Sequence, residues 1–205
     1  MHIGLDFDNT IVCYDKAFYD AALEQGLIPP EVPAIKNQVR DYLRSQGQEE
    51  DWIVLQGLIY GSRIAEGFPF PGVLDFLEQC TSRSACVSII SHRSRYAEMG
   101  YPYDLHQAAD NWLESHGFKE QSGFGQTVKE VHFEVTEQDK LRRVAQSGCS
   151  CFVDDLPWIL NAPEFPTQVQ PILFDPERKF KPEGHVRHAC SWNQIGEIIF
   201  GGTVS

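Results

Sequence analysis

The chain lacks any apolar run near the ~18 residues that a membrane-spanning helix needs,. It also lacks a basic n-region at its start, and Asp6 and Asp8 interrupt the apolar stretch there, so a secretory leader is not expected and a cytoplasmic location is,. Basic side chains are scarce: 17 Lys and Arg stand against 29 Asp and Glu, a formal net charge of −12. That balance excludes a protein that coats a nucleic acid polymer, because phosphate backbones are held by Lys and Arg. It leaves room for a small anionic substrate, since a bound cation or a local cluster can reverse the field in one cleft. Paired zinc motifs are missing as well. Among the six cysteines (13, 80, 86, 149, 151 and 190), Cys149-x-Cys151 has neither the C-x2-4-C spacing nor a second pair,. With His185-x-x-His188-x-Cys190 it reads as small core residues plus a surface histidine cluster, and the thiols are expected to be reduced.

What remains is a chain able to build a core. Its 205 residues are 42% hydrophobic, which suits one folded domain with a small insertion rather than a disordered segment,. Residues 2–7 form a short apolar run, as in a covered central strand. Residues 16–27, 34–45 and 50–65 then carry apolar side chains at helical spacing, and FPFPG at 68–72 interrupts the pattern before another helix at 73–80,. Beyond it, strands (85–90, 129–135, 149–153, 171–174) alternate with helices at 104–116, from Thr136 to about Gln146, and after Ser191,. The pattern predicts an α/β fold, Rossmann-like, with a mainly parallel sheet flanked by helices and an all-helical cap inserted after the first strand. Residues 1–12 and 69–205 would form the core, and 13–68 the cap.

Ligands of such sheets bind beyond the carboxyl ends of the strands. There the first strand ends in Asp6-Phe7-Asp8-Asn9-Thr10, the second is followed by Ser91-His92-Arg93, and residues 149–153 end in Asp154-Asp155. Lys140 sits in the first turn of the helix capped by Thr136. Two carboxylates about 4 Å apart repel by about 4 kcal/mol at an effective dielectric near 20. A divalent cation relieves this, and an all-oxygen site suits Mg²⁺.

This ordered set resembles the haloacid dehalogenase superfamily. The D-x-D-x-T motif falls on Asp6 to Thr10, the hydroxyl motif on Ser91, the lysine motif on Lys140 with Lys129 as the alternative, and the acidic pair on Asp154-Asp155. The resemblance covers the core and implies a Mg²⁺-dependent phosphatase acting on a small phosphorylated substrate, with neither a nucleic acid polymer nor a membrane as partner. It implies Asp6 as nucleophile and Asp8 as acid and base. Ser91, Lys140, Asn9 and His92 would hold phosphate. Asp6, Asp154, Asp155 and the backbone carbonyl of Asp8 would be metal ligands, with Asp155 bound either through water or as an outer partner. An acid two residues after the nucleophile favours phosphate esters over carbon–halogen or carbon–phosphorus bonds. Phosphoryl transfer on the same fold, a receiver-type switch and a silent binding protein are the rivals. The receiver is disfavoured because 129–135 ends without an Asp.

Other residues stay open at this level. His92, Arg93 and Arg95 are either solvated loop residues or contacts to a second anionic group. Tyr14, Trp52, Tyr60 and Arg63 either shape a lid or pack the inserted helices.

Overall fold

The computed structural model describes residues 1–181 and 184–201. In chain order it contains β1 (His2–Leu5), β2 (Val12–Cys13), α1 (Asp15–Glu24), α2 (Lys36–Ser45), α3 (Glu49–Tyr60), a 3-10 turn at Ile64–Glu66, β3 (Phe68–Pro69) and α4 (Val73–Ser82). There follow β4 (Cys86–His92), α5 (Leu105–Ser115), β5 (Val128–Glu134), α6 (Glu137–Ser147), β6 (Cys151–Asp154), α7 (Pro157–Leu160), β7 (Gln170–Phe174), β8 (Arg187–Ala189) and α8 (Trp192–Phe200). The main sheet has the order β5-β4-β1-β6-β7-β8 with parallel pairing throughout, and β2 and β3 form a separate two-stranded sheet. The mixed α/β class and mainly parallel sheet expected from the alternation are therefore present.

The chain divides into two units. The first comprises Met1–Ile11, Pro69–Arg93 and the chain from Gly117 onward. Its centre is β1, whose Ile3 and Leu5 are fully buried, as are Val87, Ile89 and Ile90 of β4 and Phe152 and Val153 of β6. Burial of each such side chain contributes about 1.5–3 kcal/mol. The connection from β5 to β6 runs through α6, which packs on β4. Leu141 and Val144 of α6 accordingly pack with Ile90 and Phe152. Two helices in this unit start where the sequence predicts. Thr136 accepts a hydrogen bond from the Asp139 backbone N–H at 3.1 Å, and Ser191 accepts one from Gln194 N–H at 3.3 Å,.

The second unit is Val12–Phe68 together with Ser94–His116. It thus takes in α5 and the loop before it, in addition to the inserted helices. The reason lies in α3, where Gly57 and Gly61 present one face. A Cβ on Gly57 would stand 2.9 Å from Ala97 Cβ, and one on Gly61 would stand 2.6 Å from the Tyr103 side chain. Only glycine lets the 94–103 segment lie that close. Tyr14, Phe18, Trp52 and Tyr60 form one ring cluster, with Tyr14–Tyr60 centroids 5.1 Å apart and Phe18–Trp52 centroids 4.9 Å apart. Arg63 pairs with Glu24 and Glu66, each at 2.6 Å. The four rings therefore brace the helices of this unit from within, and Arg63 ties them at the surface.

None of the six cysteines is in a disulfide. Burial pushes the Cys80 and Cys151 thiols up to about 12, which leaves them protonated and inert,. His188 does not belong to an unattached surface cluster: it lies in β8 with Nε2 3.1 Å from Asp175 Oδ2. None of the described helices is long and apolar enough to cross a membrane.

Candidate active site

Sheet register brings the acidic residues together. Leu5 pairs with Ile89 on one side and Val153 on the other, so Asp6 and Asp154 are level and Ser91 lies two positions beyond Ile89. The Asp6 backbone N–H extends the ladder by donating to the Val153 carbonyl at 2.9 Å. Asn9 follows with φ +60°, a left-handed conformation that Asn tolerates better than most residues, and this turns the chain out of the sheet,.

Carboxylate oxygens of Asp6, Asp154 and Asp155 all lie within 4.8 Å of one another. Lys140 reaches them from α6: its Nζ is 2.6 Å from Asp6 Oδ1 and 2.7 Å from Asp154 Oδ2, and the side chain is buried. The alternative, Lys129, is exposed on β5. Asp154 Oδ2 is thus met by the ammonium. Among the described residues, Ser91 Oγ and Thr10 Oγ1 are buried side-chain oxygens with neither a hydrogen bond nor an ion pair. Such atoms are costly unless a ligand meets them. Three clustered carboxylates beside the Lys140 ammonium keep an excess of negative charge that fits a divalent cation,.

The charge states agree with that excess of carboxylates. Burial raises the Asp6 carboxyl from 3.8 to about 7, Lys140 opposes the rise, and Asp154 adds to it. Burial alone would lower the Lys140 ammonium, but Asp154 and Asp6 more than offset this and hold it above the usual lysine range. The sign for stability follows. A carboxyl whose folded pKa is raised binds its proton more tightly in the native state, so metal-free stability falls as pH rises from about 4 to about 7,. A divalent cation must displace that proton at lower pH. At about 100 times its dissociation constant the cation should add about 2.7 kcal/mol, or roughly 5–10 °C in Tm for a chain of this size. Thermal melts with Mg²⁺ and with EDTA should show that gain at pH 8 and a smaller one at pH 5.5. An equal gain at both would count against Asp6 as a ligand.

The remaining candidates divide. Ser91 is buried, at 1% exposure, on the penultimate residue of β4. His92, next along the strand, is exposed and donates from Nε2 to the Val135 carbonyl at 3.1 Å, so it is not brought to the carboxylates. Strand alternation returns Arg93 to the side of Ser91. Its Nη1 donates to both oxygens of the Asp8 carboxylate, each at 2.6 Å. Asp8's carboxylate is thus paired with Arg93, and it is near enough to Asp6 to add to the rise of that carboxyl. Arg95 lies in the second unit, 3.4 Å from Asp104. Because β4 runs two residues past Ile90, alternation was the signal that would have separated Arg93 from His92.

Neither a protein-family model nor a curated protein matches the chain. Solved structures do. A haloacid dehalogenase-superfamily hydrolase from Ehrlichia chaffeensis is similar with a TM-score of 0.58 at 10% identity, over 97% of this chain and 95% of that one. Protein Tyrosine Kinase A of Mycobacterium tuberculosis is similar at 0.63 and 15% identity over 97% of both chains. A predicted phosphatase from Clostridium acetobutylicum is similar at 0.58 and 11% identity over 98% of both. The chain shares the fold of these structures along nearly its whole length. Identities this low carry the fold alone, and the names span a kinase and a phosphatase, so the chemistry has to be argued from the site.

Proposed function

We propose that the protein is a Mg²⁺-dependent phosphatase that hydrolyses a small phosphorylated metabolite through an aspartyl-phosphate on Asp6. The observation that carries this reading is the division of labour among the aspartates. Asp6 sits in the cluster with Asp154 and Asp155, while Asp8, two residues on, is held by Arg93. Asp6, Asp154 and Asp155, with the Asp8 backbone carbonyl, would hold Mg²⁺. The bound cation would supply neutralisation of carboxylate and phosphoryl charge.

The steps belong to the chain's own residues. An Asp6 oxygen attacks phosphorus as the bond to the leaving oxygen breaks, and Asp8 donates the proton that oxygen needs. Water then attacks the phosphorus of the aspartyl-phosphate, gives its proton to Asp8, and restores Asp6. The unpartnered Ser91 hydroxyl is available to a phosphoryl oxygen,. Lys140 fixes the Asp6 carboxylate and adds a positive charge beside it,. The inserted helical unit favours small substrates over polymers, and the acidic chain points the same way,.

The test is phosphate release from a panel of phosphorylated sugars, nucleotides and small acids. Release with Mg²⁺ that EDTA abolishes supports the reading. No release from any ester, with transfer to a non-water acceptor, would replace it with the transferase reading.

A further inference from the structure

We propose that Arg93 is the positioning residue for Asp8: it holds that carboxylate in line for the leaving oxygen and keeps it from joining the metal-binding aspartates. The proposal rests on the phosphatase reading above. Arg93 is 4% exposed, and its side chain meets an Asp8 side chain that is 16% exposed. Its backbone N–H donates to the Glu134 carbonyl at 2.7 Å, which ties the end of β4 to β5. Its guanidinium carbon lies 5.7 Å from the centroid of the Phe7 ring, and Phe7 is itself fully buried. The head group is therefore fixed by backbone, ring and carboxylate together.

A buried ion pair is poor at stabilising a fold, because desolvation consumes most of the Coulombic gain. What this arginine offers instead is one held nitrogen that donates to both Asp8 oxygens and so sets the direction of the carboxylate,. Direction matters at Asp8. A carboxylate two residues from Asp6 would be drawn toward a divalent cation, where it could not serve the leaving group. With Arg93 in place, the Asp8 carboxylate has a competing cation on its other side. Lysine at this position would keep the charge and lose the guanidinium's seat beside the Phe7 ring.

The experiment measures kcat/KM with Mg²⁺ for an aryl phosphate with a good leaving group and an alkyl phosphate with a poor one. It uses wild type, Arg93→Ala, Arg93→Lys, Asp8→Asn and the double variant Asp8→Asn/Arg93→Ala, each checked for folding by circular dichroism. General acid catalysis contributes about 10²–10⁴-fold, so Arg93→Ala should lose about 10²-fold or more with the alkyl ester and about tenfold or less with the aryl ester. Arg93→Lys should recover part of the alkyl loss. In the Asp8→Asn background, removing Arg93 should cost little more, because both changes disable the same group. Equal losses for the two esters, or losses that multiply in the double variant, would overturn the proposal and place Arg93 on the phosphoryl group or in the fold. If Asp8→Asn itself shows no leaving-group dependence, the acid role fails first, which separates failure of the phosphatase mechanism from failure of this inference.

Discussion

Asp6→Asn is expected to reduce Mg²⁺-dependent phosphate release by roughly 10⁴-fold or more while the protein stays folded. The loss is large because an amide is a poor nucleophile toward phosphorus and contributes no charge to a cation. The fold survives because Asn has nearly the same shape, and Lys140 retains Asp154 at 2.7 Å. Metal-free, the variant should be at least as stable as wild type above neutral pH, since it no longer holds a buried carboxylate whose ionisation is resisted up to about pH 7,. The check is twofold: phosphate release from a clean preparation, and a hydroxylamine-labile phosphate label that maps to Asp6 in wild type alone. Asp6→Ala run beside it guards against deamidation of the new Asn. Residual activity above about one hundredth of wild type in both variants would sink the covalent mechanism.

The parts of this site that were legible in the sequence are those that local rules mark. Carboxylates at the end of an apolar run, an acidic pair after a second run and a capped helix after a third each stand out on their own. Parallel-sheet topology then says that they share one edge. Arg93 was not legible in this way. An arginine after Ser-His looks like any loop cation until β4 is known to continue to His92, at which point alternation separates Arg93 from its neighbour,. The second unit illustrates another limit. Residues 105–115 carry a clear apolar helical face, but a face does not name its partner. The glycines that seat the preceding loop are 57 and 61, more than thirty residues away. β2, β3 and β8 were missed for a simpler reason, as runs of two or three residues carry no period,. α7 is one turn that starts at Pro157, and a Pro after an acidic pair reads equally well as a loop,.

Lys140 carries the second large effect, and it is one of stability as well as rate. Lys140→Ala removes the one ammonium placed between Asp6 and Asp154, both of them buried. Breaking a buried pair by removing one partner costs about 3–5 kcal/mol. At roughly 2–4 °C per kcal/mol, the metal-free variant should melt about 6–20 °C below wild type. Two rescues follow from the geometry. Asp6→Asn in the same chain removes one of the stranded carboxylates, so it should raise the Tm of Lys140→Ala by more than it raises that of wild type. A divalent cation replaces part of the missing charge, so Mg²⁺ should raise Tm more in Lys140→Ala than in wild type, even though turnover stays low. Thermal melts of the four proteins, in EDTA and in Mg²⁺, give both answers. A double variant that loses the full sum of the single losses would mean that Lys140 acts by packing against Phe152, whose ring centroid is 5.6 Å from its Nζ, and not by charge,. Recovery by either rescue would instead tie the lysine's contribution to the aspartates that it separates.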